Sequence, residues 1–319
     1  MFTAAGAAAS TGATRLARAG ETERSTVGGG SSPDGLSESS AQVGGAAESA
    51  AAGDSFDTFL CRAAMPLIVH IASERYRLVT PTKVVAISVM GRGNVNAFLL
   101  LGHKAVLVDT GIPGSGPKIM AALAKQSVGP ADVSAIVVTH GHVDHFGAAA
   151  HLRRALKVPI IAHGGDAEAY ASGQGLAGSL RPTGPFGWVF SKLPPAHARA
   201  EPFVADVMVD EPISLRNYGV DARILLTPGH TPGSISVLAD SGELIAADLI
   251  AGPLLGAIRR RPANPPFHQD RLLNLASLDS VLKLNPSVIH VGHGGPLDPS
   301  DVRRWVTREH RKLVRNNAR

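Results

Sequence analysis

Three imidazoles and one carboxylate lie within six residues, directly after the apolar run 135–138. These donors are His140, His142, Asp144 and His145. A β-branched apolar run that ends abruptly is typical of a buried strand, and Gly141 lets the following chain bend so that side chains converge. Imidazole and carboxylate together suit a divalent ion such as zinc, and four donors exceed what one tetrahedral centre usually takes from a single loop. A polar turn with surface histidines is the alternative, and the density of donors favours two neighbouring metal ions.

Three further donors follow the loop at 139–147 along the chain, and one acidic residue precedes the loop. Each of the four lies at or near the end of an apolar run. Asp109 follows 105–108, Asp248 ends the run 243–247, His293 follows 288–292, and His230 lies in the segment TPGHTPGS at 227–234. These positions at the ends of apolar runs favour a metal site over a polar turn with surface histidines.

The order of these five motifs resembles that of the metallo-β-lactamase-fold superfamily of metallohydrolases, over about residues 84–299. The resemblance implies an α/β fold, a four-layer αββα sandwich, which we expect to occupy residues 65–319. It also implies two divalent metal ions, with Zn²⁺ favoured and Fe or Mn as alternatives, and a hydroxide bridging them. In the ligand set that it implies, one ion is held by His140, His142 and His230, the second by Asp144, His145 and His293, and Asp248 bridges both.

Two carboxylates are expected to serve catalysis as well as structure. Asp144 would be a metal ligand and a carboxylate close to the attacking water. Asp109, at a strand end before the metal loop, can accept the second N–H of a ligand histidine and fix its tautomer, although a simple turn cap is the alternative. Thr139, Thr231 and Ser234 are expected to support the loops.

Departures from the family pattern narrow the substrate. An aspartate stands at position 248 where true β-lactamases have Cys or Ser, and the segment around His293 reads GHGG, unlike the GHEY typical of glyoxalase II. No tyrosine closely follows Asp248, although several similar lactonases use one. The leading hypothesis is a hydrolase of an ester, thioester or lactone of a small molecule. The alternatives are a phosphodiesterase of the same fold and a non-catalytic metal-binding or nucleic-acid-associated protein.

Composition bounds the remaining possibilities. The formal charge of +5 resides mainly in Arg259, Arg260 and Arg261 and in residues 303–319, so a solvated surface is favoured over a nucleic-acid site. The arginine triplet could equally meet an anionic part of the substrate. No apolar run reaches the ~18–20 residues of a membrane helix, which predicts no membrane partner. A single cysteine excludes an internal disulfide and fits a cytoplasmic enzyme, and a homodimer stays open.

Hydrophobic periodicity predicts the elements that position these residues. Strands are expected at 84–89, 97–101, 105–108, 135–138, 158–162, 222–226, 235–239, 243–247 and 288–291, and helices at 117–125, 146–155, 271–284 and 299–313. The segment 164–205 is rich in Gly and Pro and contains Phe186, Trp188 and Phe190. It is expected to be either an ordered flap that lines a pocket or simple packing. His103, His151 and His163 are not expected to be ligands.

The N-terminal extension, residues 1–60, is predicted to be disordered or wrongly assigned to the protein, because it contains almost no large apolar side chains. Removal of residues 1–55 should therefore leave the melting temperature and the hydrolytic activity unchanged. A large loss of either in the truncated protein would show that the segment packs on the domain.

Overall fold

The computed structural model describes residues 81–91, 93–179, 181–192, 199–252 and 261–317, which belong to one unit, Arg75–Arg319. The extension 1–60 and Cys61 lie outside the described residues, so the predictions for them stay predictions. None of the helices within the described ranges is long and apolar enough to cross a bilayer.

Six strands form the first sheet, in the order β1-β2-β3-β4-β5-β6. They are β1 (Lys83–Met90), β2 (Val95–Leu101), β3 (Ala105–Val108), β4 (Val133–Val137), β5 (Ile160–His163) and β6 (Val207–Val209). The first three strands are antiparallel neighbours, whereas β3 to β6 pair in parallel. Parallel pairing requires long crossovers, and helices along these crossovers cover one face of the sheet.

Four strands form the second sheet, in the order β10-β9-β8-β7. They are β7 (Ala222–Leu226), β8 (Ile235–Ala239), β9 (Glu243–Ala247) and β10 (Val288–Val291). Only β9 and β10 pair in parallel. The bounds of β3 and of all four strands in this sheet agree with those predicted from the sequence.

Seven α-helices lie in the described ranges. They are α1 (Gly116–Lys125), α2 (Val143–Phe146), α3 (Ala149–Leu156), α4 (Ala167–Ser172), α5 (Pro185–Phe190), α6 (Arg271–Leu282) and α7 (Pro299–Asn317). Helix α7 buries Trp305 and Val306, and Leu313 packs against the same cluster.

Three apolar clusters separate four layers, which confirms the predicted αββα sandwich. Side chains alternate along β2, so Leu99 faces the helical cluster that contains Ile119 and Leu152, while Phe98 and Leu100 face the second sheet. A third cluster joins the outer face of the second sheet to α6 and α7. The outer faces of both sheets are therefore closed by helices, and the loops at the sheet ends are free to carry function.

The helix predicted at 146–155 was wrong as a single element. The backbone N–H of Gly147 donates to the Gly111 carbonyl at 2.8 Å, and that of Ala148 donates to the Thr110 hydroxyl at 3.2 Å. Two consecutive amides thus leave the helical pattern, and the segment divides into α2 and α3.

The segment 164–205 contains α4 and α5, which were not predicted, and β6 follows it as a strand that the sequence analysis missed. Strand β6 has three residues, too few for an alternating pattern to be visible. Trp188 in α5 is 59% exposed, while the side chains of Phe186 and Phe190 lie outside the described ones. A role for this segment as the wall of a pocket stays a prediction.

Gly147 packs where a side chain has no room, and we expect its replacement by alanine to destabilise the fold. A Cβ at this position would lie 2.4 Å from the Pro113 nitrogen and 2.5 Å from the Val143 carbonyl oxygen. The Gly147→Ala variant should lose about 1–3 kcal/mol in free energy of unfolding, measured by urea denaturation. Gly164→Ala, where a Cβ would meet no atom within 4 Å, should stay within about 0.5 kcal/mol of the parent protein. Equal effects of the two changes would contradict this account.

Candidate metal centre

The described histidines and carboxylates form two groups that could each hold a metal ion. Their members are His140, His142, His230 and Asp248 in the first group, and Asp144, His145 and His293 in the second. Within each group, one ligand atom per residue lies within 4.8 Å of all the others. All seven residues predicted as ligands are therefore brought together, and their binding of metal stays a proposal.

Asp248 is a member of the first group and also faces histidines of the second. Its Oδ2 is 3.6 Å from His230 Nε2 and 3.1 Å from His293 Nε2, while its Oδ1 is 3.5 Å from His145 Nε2. The carboxylate thus faces one imidazole of the first group and two of the second. This is the position that a ligand shared by two ions must take.

Strand ends place these donors at one edge of the sandwich. The loop at 139–147 follows β4, Asp248 follows β9, and His293 follows β10. Two non-glycine residues next to these ends, Asp109 and Ala247, have positive φ angles of 62° and 47°. Such angles cost of order 1–3 kcal/mol each, so the surrounding packing must hold the backbone in these turns.

Gly292 leaves space for the donors themselves. A Cβ at this position would lie 2.2 Å from Asp248 Oδ1 and 2.5 Å from His145 Cε1. The backbone before His293 therefore approaches the donors as closely as the absence of a side chain permits.

Each histidine of the first group has its outer nitrogen engaged by the protein. His140 Nδ1 lies 3.0 Å from the Thr139 hydroxyl, and His142 Nε2 lies 2.7 Å from the Ser179 hydroxyl. His230 Nδ1 donates to the Phe267 carbonyl at 3.0 Å. Partners of this kind fix the orientation of an imidazole and raise its basicity as a ligand.

The second group is oriented in the same way. His145 Nδ1 lies 2.8 Å from Asp109 Oδ2, and His293 Nδ1 donates to the Asn94 carbonyl. Asp109 is fully buried and also accepts hydrogen bonds from the backbone N–H and the hydroxyl of Thr139, both at 2.8 Å. The residue therefore contacts a donor histidine, as the sequence analysis expected, and the metal loop at the same time.

The inward-facing atoms fit metal ions. His140 Nε2, His145 Nε2 and Asp248 Oδ1 are buried and have no hydrogen-bond partner. Buried polar atoms are normally paired, so three unpaired ones in one cluster call for an explanation. Divalent ions bound by nitrogen and oxygen would satisfy all three.

In the metal-free cluster, the histidines of the two groups differ in their pKa. Burial lowers the pKa of His140 and of His230 well below its ordinary value, which keeps both rings neutral. Burial also lowers the pKa of His145 and of His293, but Asp248 and neighbouring carboxylates outweigh it and raise the values to about 9 and about 10. Metal binding to the second group must therefore displace protons.

The pKa of Asp248 is held well below its ordinary value. Burial raises it, but the cations at His293 and His145 outweigh that effect. The carboxylate is therefore ionised at neutral pH, as a metal ligand must be.

Several contacts of this site were not foreseen. Ser179 comes from the irregular segment after α4, and the carbonyls of Asn94 and Phe267 carry no signal in the sequence, because any residue has a carbonyl. Asp166, which is fully buried, contacts the loop of His140 and His142 and the loop of His230, and was also missed. Its signal in the sequence is weaker than that of Asp109, because Asp166 lies three residues after β5 and Asp109 directly follows β3.

The other histidines named in the sequence analysis lie apart from the cluster. His103 and His151 are exposed, and His163 accepts a hydrogen bond from the Gly165 amide at 2.9 Å. Arg261 is exposed, whereas Arg259 and Arg260 lie outside the described residues, so a role for the triplet stays a prediction. His268 is buried beside His230, with 3.4 Å between their Nδ1 atoms, and was not singled out.

The sequence profile of the metallo-beta-lactamase superfamily matches residues 90–293. The chain therefore belongs to this superfamily of metallohydrolases, as the resemblance indicated. A probable metallo-hydrolase of Bacillus subtilis, YflN, is 29% identical over 220 residues, which cover 64% of this chain and 81% of that protein. A hydroxyacylglutathione hydrolase of Anaeromyxobacter dehalogenans is 31% identical over 196 residues, which cover 61% of each protein.

Solved structures agree on the fold. A metallo-beta-lactamase superfamily protein from Sulfolobus tokodaii aligns with a TM-score of 0.52 at 22% identity, over 70% of this chain and 85% of that one. The B3 metallo-beta-lactamase BLEG-1 aligns with a TM-score of 0.52 at 20% identity, over 69% of this chain and 95% of that one. At these identities the likeness shows the fold alone.

The raised pKa values predict how pH affects the metal-free protein. A histidine whose pKa is higher in the folded than in the unfolded state stabilises the fold below the unfolded value, about 6.5, and this contribution disappears as pH rises through the folded value. With folded values of about 9 for His145 and about 10 for His293, chelator-treated protein should lose stability between pH 7 and pH 10. Urea unfolding across this range measures the loss, and His293→Gln should flatten the curve. Parallel curves for the two proteins would contradict the assignment.

Proposed function

We propose that the protein is a metal-dependent hydrolase with two divalent ions, which cleaves an ester, thioester or lactone bond of a small molecule. The observation that carries the proposal is the position of Asp248, whose carboxylate faces imidazoles of both donor groups. A single structural ion would not need a second group of donors beside it. Zinc is favoured, because imidazole and carboxylate both suit it, with iron or manganese as alternatives.

The first ion would be held by His140, His142 and His230, the second by Asp144, His145 and His293, and Asp248 would contact both. When bound, the ions would lower the pKa of a coordinated water and polarise the bond under attack. Every donor except Asp144 is buried, so the protein excludes bulk water from all but one side of the centre.

Asp144 occupies the open side of the centre. Its side chain is 37% exposed, against 9% for His293 and 4% for Asp248. Its Oδ2 lies 3.4 Å from His293 Nε2, so one oxygen can face the centre while the carboxylate remains accessible. A carboxylate in this position can accept a proton from the attacking water or pass it to the leaving group.

Asp109 acts as a positioning residue in this proposal, because it has no exposed surface from which to reach a substrate. One of its oxygens faces His145 and the Thr139 hydroxyl, and the other accepts the Thr139 amide. It would thereby hold the donor nitrogen of His145 in the tautomer that a metal requires.

The substrate class is supported by features of the chain rather than by its fold. An aspartate at position 248 and the GHGG segment around His293 set the chain apart from β-lactamases and from glyoxalase II, respectively. A relative that is 31% identical bears the name hydroxyacylglutathione hydrolase, which is the glyoxalase II activity. It supports thioester hydrolysis for this chain, while the GHGG segment in place of GHEY favours a different substrate. A phosphodiesterase of the same fold is the second candidate, and a panel of ester, thioester, lactone and phosphodiester substrates separates the two.

The metal content gives a first test. Purified protein supplemented with zinc should bind two equivalents, measured by elemental analysis after removal of free metal. Binding of at most one equivalent would contradict the proposed role of Asp248 between two ions.

Replacement of Asp144 tests the chemistry. Asp144→Ala removes a donor and a proton acceptor together, so turnover on the best substrate of the panel should fall at least ~10²-fold. His151→Ala alters an exposed histidine only six residues from His145, and its stability should stay within about 0.5 kcal/mol of the parent with turnover unchanged. Equal effects of the two substitutions, or no effect of the first, would favour a non-catalytic metal-binding protein.

A further inference from the structure

Asp166 is a buried carboxylate that belongs to neither donor group. It follows β5 in a short 3₁₀ turn and has no exposed surface. Its Oδ2 accepts hydrogen bonds from the Gly141 amide at 2.7 Å and the Thr231 hydroxyl at 2.6 Å, and its Oδ1 accepts one from the Gly233 amide at 2.9 Å. Burial of a charge is costly unless it is hydrogen-bonded, and here three donors satisfy it.

These three donors come from two separate loops that carry the first donor group. Gly141 lies between His140 and His142, and Thr231 directly follows His230. Asp166 is therefore one hydrogen bond away from the backbone of each loop. It links chain segments that are 25 residues before it and 65 and 67 residues after it.

The fit around Asp166 is tight on both sides. A Cβ at Gly141 would lie 3.0 Å from Asp166 Cβ, and a Cβ at Gly233 would lie 2.7 Å from Asp166 Cγ. Gly141 does not have a left-handed φ angle. Close packing against Asp166 and against Ala169, whose Cβ would lie 2.9 Å away, explains the glycine better than the sharp bend expected from the sequence. The two loops can approach the carboxylate only because both lack side chains there.

We propose that Asp166 is a positioning residue that sets the distance between the loop of His140 and His142 and the loop of His230, and thereby controls affinity for the first of the two ions. This inference rests on the proposed function, since it needs a metal in the first donor group. Asp109 differs, because its direct histidine contact is His145 of the second group.

The Asp166→Asn variant tests the inference with little change in shape. The amide nitrogen of asparagine cannot accept a hydrogen bond. If it replaces Oδ1, the Gly233 amide loses its acceptor, and if it replaces Oδ2, the Gly141 amide and the Thr231 hydroxyl lose theirs. One of the two metal equivalents should bind at least about tenfold more weakly, the scale seen when groups that support metal ligands are removed. Competition with a chromophoric chelator measures both equivalents, and the visible spectrum of the Co²⁺-loaded protein shows which donor group has lost its ion.

Asp206→Asn is the matched control. The Asp206 carboxylate also supports β5, since it accepts the Ile160 amide at 2.8 Å, but it contacts neither metal-bearing loop. Both metal affinities of this variant should equal those of the parent, although its melting temperature falls. Thr231→Val is a second test variant, which removes one donor and should weaken the same ion to a smaller extent. It decides the question if Asp166→Asn does not fold.

The outcomes separate this inference from the proposed function. A parent protein that binds fewer than two ions contradicts the proposed function. A parent protein that binds two, with Asp166→Asn unchanged or with both ions weakened equally, overturns the role of Asp166 alone. Selective weakening of the ion in the first group, absent in Asp206→Asn, supports it.

Discussion

The ionised carboxylate of Asp248 is the charge around which this structure is arranged. It lies within 3.6 Å of imidazole nitrogens from three separate loops, and it is 4% exposed. An isolated buried carboxylate would be strongly unfavourable, so Asp248 stays ionised because these histidines face it. The carboxylate in turn holds the histidines in place. Both sheets must therefore end at the same edge, because His145 follows the first sheet and His293 the second.

Support for the donors comes from groups that face away from them. Carboxylates, hydroxyls and backbone carbonyls contact the outer nitrogen of each ring, so the inner nitrogens face one another and Asp248. Asp109 and Asp166 also bind the backbone of the loops. Asp109 accepts a hydrogen bond from the Thr139 amide, and Asp166 accepts hydrogen bonds from the amides of Gly141 and Gly233. The strained turns at Asp109 and Ala247 are held by the same packing. A centre built in this way is organised before any ion binds.

The reaction type and the substrate depend on different parts of the chain. The centre is defined by strand ends, which the sandwich fixes, and it supports hydrolysis in general. Selection of a substrate depends on the chain segments that surround the open side of the centre near Asp144. One sandwich can thus carry different substrates when these segments change, whereas the donors stay in place.

Apolar runs in the sequence predicted an α/β protein with most of its strands, and the residues that end these runs predicted a metal site. The αββα arrangement and the division of the seven candidate donors between two ions came from the resemblance to the metallo-β-lactamase superfamily. Strand β6, the break between α2 and α3, and the role of Asp166 were decided by tertiary structure. The break depends on the Gly111 carbonyl and the Thr110 hydroxyl, and Asp166 joins loops far apart in the chain. Local patterns report which side of a strand is buried, but they do not report which distant backbone group will accept or donate a hydrogen bond.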